Sequence, residues 1–434
     1  MTTTKPRALT PASQMPRHLI IGSLLLALQF LPLLCAPLPA TAQTFTVLHT
    51  FTGQGDGEAP WAGVIQDSTS NLYGTTMRGG AFDMGTVFTI TASGKEAGHS
   101  FWGGAGMLPE GPLIQDEAGN FYGTTYDGGT LEGGSCLHGC GTVFKLDSTG
   151  KETVLYAFTG GTDGGNPAAG LVRDKQGNLY GTTTVGGDLS CVVSVYGCGV
   201  VFKLDTSGKE TVLHAFSGSN GDGEYPGGGL VQDRAGNLYG VTELGGASKF
   251  PSCPLYSLCG TVFKIDTAGK ETVVHSFQGA DGALPNGPLV LGAEGNLYGE
   301  TELGGDLANC DKDGCGVVFK IDKTGKEAVL YTFESGEGVH PAGGLTRDKA
   351  GSLFGATQGG YDGDPEYGTV FALSTNGKLT TLHTFTGGSD GATPNGGLII
   401  GKSGVLYGTT QAGGDTSCYT PQTEGCGVVF KLTP

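Results

Sequence analysis

Positive charge is what the chain has least of: 24 Lys and Arg stand against 41 Asp and Glu, a net −17. A surface of that sign repels phosphate backbones and anionic lipid, which argues against nucleic acid and membrane surfaces as partners. Long hydrophobic runs are also lacking, with one exception at the start. Leu19 to Leu34 follows Lys5, Arg7, Arg17 and His18, is interrupted by Gln29 and Pro32, and leads to Ala40-Thr41-Ala42. A basic start, a short apolar stretch and small residues before a cleavage point read as an export signal over residues 1–42. The run is short for a membrane span. Its removal takes away three positive charges and no acid, so the mature chain, 43–434, carries −20. No second such run follows, so the mature chain is expected to stay out of the membrane. It should be secreted, periplasmic or held at the cell surface.

Helical patterning is missing as well: no stretch of the mature chain keeps apolar residues at i, i+3 and i+4 for long. Disorder is excluded by the 20 Phe and 15 Tyr available for burial. The 82 glycines follow no three-residue period, which excludes collagen.

What the chain does have is repetition. A short apolar run ending in aromatic-Gly recurs seven times, from Asn71-Leu72-Tyr73-Gly74 through Asn237-Leu238-Tyr239-Gly240 to Val405-Leu406-Tyr407-Gly408. Gly-Thr/Val-Val-Phe begins at Gly85, Gly141, Gly199, Gly260, Gly316, Gly368 and Gly427. A third phrase ends at Phe51, Phe101, Phe158, Phe216, Phe277, Phe333 and Phe385, and a fourth is a Gly-rich entry such as Gly63-Val64-Ile65. Each phrase is β-branched or aromatic and bounded by Gly, Asp or Asn, so each reads as a strand. Four strands per unit and seven units of about 56 residues predict an all-β, seven-bladed β-propeller of four-stranded antiparallel blades. The repeated aromatics should stack between neighbouring blades.

Turn counting predicts how the ring closes. Tight turns such as Asp174-Lys175-Gln176-Gly177 join first to second strands in all seven units. Those joining third to fourth strands, such as Asp205-Thr206-Ser207-Gly208, occur only six times. Residues 44–51 match the orphaned fourth-strand family, so they should complete the last blade beside the C-terminal segment and hide an open edge.

Ten cysteines remain after cleavage, in five local pairs: Cys136/Cys140, Cys191/Cys198, Cys253/Cys259, Cys310/Cys315 and Cys418/Cys426. Cysteines are present or missing in pairs, and an exported chain meets an oxidising compartment, so five disulfides are expected. The intervals within the pairs vary too much for a zinc knuckle. Neither a metal nor a cofactor is expected.

The blade links and the long cysteine loops share one face, and binding residues favour loops on a rigid scaffold. Trp61, Trp102, Tyr126, Tyr196, Tyr225 and Tyr361 fall there outside the repeated core and are the candidate ligand-binding residues. Aromatics among Asp, Asn and Gly suit a neutral glycan or a protein surface. The position shared by His49, His214, His275 and His383 alternates with Tyr156 and Tyr331, as a structural position would. No nucleophile elbow, HExxH pattern, phosphate-binding loop or isolated acid pair stands out, so catalytic residues cannot be named. The leading expectation is a monomeric, non-catalytic propeller that binds an extracellular glycan or protein through its long-loop face. A lyase or hydrolase acting on polysaccharide is the rival, and acids or histidines converging on the central channel would favour it; a purely structural envelope protein is the third reading.

Gly-Asn-Leu-Tyr-Gly-Thr-Thr and Cys-Gly-Thr-Val-Phe-Lys-Leu-Asp, recurring in order, resemble the bacterial GloVer tandem repeat of choice-of-anchor extracellular proteins. The resemblance implies export and a repeat ectodomain. It brings no functional residue with it.

Overall fold

The computed structural model describes residues 43–434, apart from 95, 130–135, 192–195, 248–252, 254–258, 309, 311–312, 360–366, 421–422 and 434. The expected signal segment, 1–42, and Tyr361 lie outside the described residues.

Seven four-stranded antiparallel sheets form a seven-bladed propeller. Blade four is representative: Val231–Gln232, Leu238–Thr242, Thr261–Ile265 and Glu271–Ser276 run in sequence from the axis outward. The first strand is only two residues long in five blades and lengthens in the other two, to Ala283–Leu291 in blade five and Pro341–Arg347 in blade six. Between blades one and seven the chain closes as the turn count predicts. Thr44–Thr50 is the outermost strand of the last blade and pairs with Val428–Thr433, with Phe45 opposite Leu432 and Val47 opposite Phe430.

Hydrophobic burial holds neighbouring blades together through one repeated pair of rings. The Phe that follows each fourth strand meets the third-strand Phe of the next blade edge to face, from Phe51–Phe88 and Phe101–Phe144 round to Phe385–Phe430. Centroids lie 5.0–5.4 Å apart around the whole ring, the preferred arrangement for aromatic quadrupoles. The repeated tyrosines also pack against the next blade, as Tyr73 does on Phe121 at 4.5 Å between centroids, and their hydroxyls serve a second purpose. Tyr73, Tyr122, Tyr180 and Tyr239 are half-buried, and each hydroxyl donates to the Asp of its own hairpin turn at 3.0–3.3 Å. Their polar end needs a partner, and the turn supplies one. Burial works against ionisation of Asp67, yet hydrogen bonds from Thr69, Asn71 and Tyr73 hold its carboxyl down to about 2.

A backbone clamp fixes the blade links. In every link the residue before a repeated proline adopts φ of 52–60°: Ala59, Leu108, Asn166, Tyr225, Leu284, His340 and Thr393. Such a conformation costs on the order of 1–3 kcal/mol in a residue with a Cβ. It persists because its N–H is drawn to the preceding blade, where Cys426, Met84, Cys140, Cys198, Cys259, Cys315 and Tyr367 offer their carbonyls at 2.7–3.2 Å. The proline then packs on the glycine that opens the neighbour's third strand. A Cβ on Gly85 would stand 2.6 Å from Pro109 Cδ, and one on Gly260 would stand 2.6 Å from Pro285 Cδ. This explains why that phrase always begins with glycine.

All five expected cysteine pairs are bonded. Each second cysteine supplies the carbonyl that accepts a clamp's hydrogen bond, so each bridge braces the loop to which an inter-blade hydrogen bond is made. Five such bonds place the chain in an oxidising environment, and no described helix is long and apolar enough to cross a membrane.

Removal of one ring of the inter-blade series leaves a cavity that flanking strands cannot fill. Phe263→Ala should therefore cost about 3–5 kcal/mol, read as a lowered midpoint in urea; a loss below 1 kcal/mol would contradict the packing role.

Candidate functional site at the axis

The clamp brings two non-repeated side chains per blade toward the axis. One follows the link proline: Trp61, Glu110, Ala168, Gly227, Asn286, Ala342 and Asn395 around the ring. The other ends the second-strand phrase: Met77, Tyr126, Thr184, Glu243, Glu302, Gln358 and Gln411. In six blades the backbone N–H of this second residue donates to the carbonyl of the strained pre-proline residue, as in Glu243 to Tyr225 at 3.0 Å. Around these positions the frame repeats while the side chains vary, no residue type filling either position in more than two blades.

A cavity of about 730 Å³ opens where they converge, and all seven blades contribute to its wall. Trp61, Glu110, Tyr126, Tyr225, Glu243, Asn286, Glu302, Gln358 and Asn395 supply its aromatic and polar surface, over a lining of Gly, Ala, Val, Leu and Ile. Asn286 Nδ2 donates to Glu302 Oε2 at 3.1 Å, and Gln358 Nε2 donates to Asn395 Oδ1 at 2.6 Å. Asn286 Oδ1 is buried without a partner. Gly227 makes room for Glu243, because a Cβ there would lie 2.1 Å from Oε1.

The carboxyls here are poor at ionising. Loss of water, with Asp127 nearby, pushes Glu110 up to about 8. Burial beside the like charge of Glu302 pushes Glu243 up to about 8 as well. Glu302 is raised by burial, against the opposing pull of His340 and Asn286. Burial also raises Tyr126 and, more strongly, Tyr225, whose hydroxyls are hydrogen-bonded to each other. At neutral pH the cavity therefore offers carboxylic acids, amides and phenols that both donate and accept.

Further into the wall, Glu300 is 1% exposed. In four blades a threonine at this position donates to a carbonyl of the next link, as Thr124 does to Ala169 at 2.9 Å. Glu300 instead accepts from Gly344 N–H at 2.8 Å, and its Oε2 has no partner. Burial pushes it up to about 8.

A sequence profile fixes the family at this point: the Gloeobacter/Verrucomicrobia repeat matches residues 37–194 and 192–421. The chain belongs to the Gloeobacter/Verrucomicrobia repeat family. No curated protein matches the sequence. Similar solved structures include a fungal alcohol oxidase of the AA5 family in complex with copper, at 12% identity, 90% of this chain and 76% of the other, and a TM-score of 0.52. A luciferin-regenerating enzyme aligns at 14% identity over 90% and 95% with a TM-score of 0.43. A gluconolactonase from Xanthomonas campestris aligns at 14% over 81% and 89% with a TM-score of 0.40. At such identities the likeness is one of fold alone.

Of the aromatics expected to bind ligand, this repeat protein brings Trp61, Tyr126 and Tyr225 into the axial cavity. Trp102 and Tyr196 sit on the outer part of the same face, 57% and 60% exposed. Sequence reasoning missed Glu110, Glu243, Glu302, Asn286, Gln358 and Asn395. The acids do converge on the channel, although no acid pair stands out along the chain. Their signal was there: a position where the repeat phrases stop agreeing.

The repeated histidines belong to the outer frame. His49, His214, His275 and His383 pair with Asp56, Asp222, Asp281 and Asp390 at 3.0–3.2 Å. With Glu271 and Glu327, two of these pairs present atoms within 4.8 Å of one another, a set that a cation would fit. Tyr156 replaces histidine in the same arrangement and donates to Asp163, so the contact serves the frame without any ion.

Glu300 gives a pH prediction. Its folded value, about 8, lies above the ordinary 4.5, so the folded state binds the proton more tightly than the unfolded chain. Its stabilising effect is full below about 4.5 and is lost as pH rises toward 8. Glu110 and Glu243 act in the same direction. The thermal midpoint should fall between pH 5 and pH 8.5, and Glu300→Gln should shrink that fall. An equal fall in wild type and variant would contradict the assignment.

Proposed function

We propose that this protein is an exported, monomeric binding propeller whose axial cavity takes the end of a neutral saccharide. The observation that carries this reading is the chemistry of the cavity wall. One tryptophan, two phenols, three amides and protonated carboxyls converge there on a scaffold otherwise occupied by repeated residues. A sugar presents apolar C–H faces to an aromatic ring and hydroxyls that donate and accept, and the wall answers both demands. Its volume falls within the range of small-ligand pockets. The mature charge of −20 disfavours acidic polysaccharides. Export rests on residues 1–42 and on the five disulfides.

A second reading, cleavage of the bound saccharide, draws on one feature. Glu110 and Glu243 are carboxylic acids with values near 8, as general acids are.

A glycan array followed by calorimetry tests both readings. The mature protein should bind neutral glycans, and Trp61→Ala should weaken binding about tenfold or more, roughly 1.4 kcal/mol. Equal affinity of wild type and Trp61→Ala would reject the cavity as the site. Mass spectrometry of the bound glycan after incubation decides the second reading: intact glycan means binding alone, whereas shortened products lost in Glu110→Gln mean catalysis.

A further inference from the structure

The link between blades one and two breaks the repeat at its outer end. In four of the other six links a Thr or Ser after the fourth-strand Phe caps the link: Thr52 binds Asp56, Thr159 binds Asp163, Ser217 binds Asp222 and Thr386 binds Asp390, while Gln278 and Glu334 hold the position in the remaining two. Here Trp102 takes the capping position, and Gly103-Gly104-Ala105-Gly106 follows with no acid to receive a hydroxyl. The turn closes through backbone alone, with Ala105 and Gly106 N–H donating to the Trp102 carbonyl at 2.8 and 3.3 Å.

The indole rests against this turn. A Cβ on Gly104 would stand 2.3 Å from Cζ3 and 2.6 Å from Cη2 of Trp102, so only glycine lets the ring rest there. The six-membered part of the ring touches the turn at Gly104, and the residue remains 57% exposed. A tryptophan that anchors a protein partner is buried in that partner's pocket. One held against its own turn and left exposed offers open ring surface instead, and aromatic surface is what the C–H face of a pyranose ring stacks on. Most large apolar rings in water are covered; this one is held open.

The same link that begins at Trp102 ends at Glu110 in the cavity wall. It crosses from the outermost strand of blade one to the innermost strand of blade two, three strand spacings of about 4.8 Å, or roughly 14 Å. We propose that Trp102 is the platform of a second saccharide subsite, so that the ligand is an oligosaccharide with its end in the cavity and an outer ring stacked on the indole. This rests on the saccharide reading of the cavity and adds chain length to it.

The two tryptophans of the chain fall one in each subsite, which allows the subsites to be read separately. Trp61→Phe leaves Trp102 as the sole indole reporter, and Trp102→Phe leaves Trp61. Each variant is titrated with β-1,4-linked glucose, xylose and N-acetylglucosamine oligosaccharides of one to six units while indole fluorescence is followed. The Trp61 signal should respond to short and long members alike, and the Trp102 signal only to the longer ones. Trp102→Ala should weaken hexasaccharide binding about tenfold and leave monosaccharide binding unchanged. If Trp61 responds and Trp102 stays silent at every length, the platform is overturned and the cavity reading stands. If neither responds, both fall. A Trp102 response to monosaccharide with Trp61 silent would overturn the continuous chain.

Discussion

One inter-blade hydrogen bond organises this molecule: the N–H of a strained pre-proline residue, donated to a carbonyl of the blade before it. It occurs seven times, from Ala59 to Cys426 round to Thr393 to Tyr367. The strain of each left-handed residue is met by three local gains, namely that hydrogen bond, the proline seated on a neighbour's glycine, and burial of the adjacent Phe pair. Because the N–H faces one blade and the carbonyl faces the other, the clamp sets both the spacing of blades and the direction of the next side chain. In five blades a disulfide braces the loop that supplies the acceptor. The site at the axis is a by-product of this geometry.

That division explains what the sequence could and could not reveal. Strand identity, blade number, the closing strand 44–51 and the cysteine pairs depend on repeated residues, and repetition is legible along a chain. The pairing of Thr44–Thr50 with Val428–Thr433 follows from counting turns. Glu110, Glu243 and Glu302 were not legible in the same way. They are far apart in sequence, each sits in a phrase that otherwise matches its counterparts, and only ring closure brings them to one wall. Trp61, Tyr126 and Tyr225 were found because large aromatics outside a repeated core draw notice by type. For the repeated tyrosines apolar bulk rightly argued for packing against the next blade, and what went unread was the second partner of each hydroxyl, the turn aspartate.

The outer and inner rings of titratable groups then separate cleanly. The outer ring of His–Asp and Tyr–Asp pairs recurs between blades, tolerates exchange of His for Tyr, and ties links to strands. The inner ring changes around the axis, with Glu in only two blades at one position and Asn in only two at the other. Burial and the charge of Glu302 hold the proton on Glu243 in a cavity where Gly227 has been kept small to admit a carboxyl. Groups of this kind cost stability, since a buried acid without a full set of partners gains less than an apolar residue would. Their presence at the one place where the frame leaves choice is the physical basis for assigning the cavity a ligand.

The most direct test of that assignment is a crystal structure of the mature protein soaked with the neutral glycan it binds most tightly. The account predicts a sugar ring in the axial cavity, stacked on Trp61 and within hydrogen-bond distance of Glu110 or Glu243. Sugar bound only on the opposite face, among the Asp-x-x-Gly turns, would contradict it.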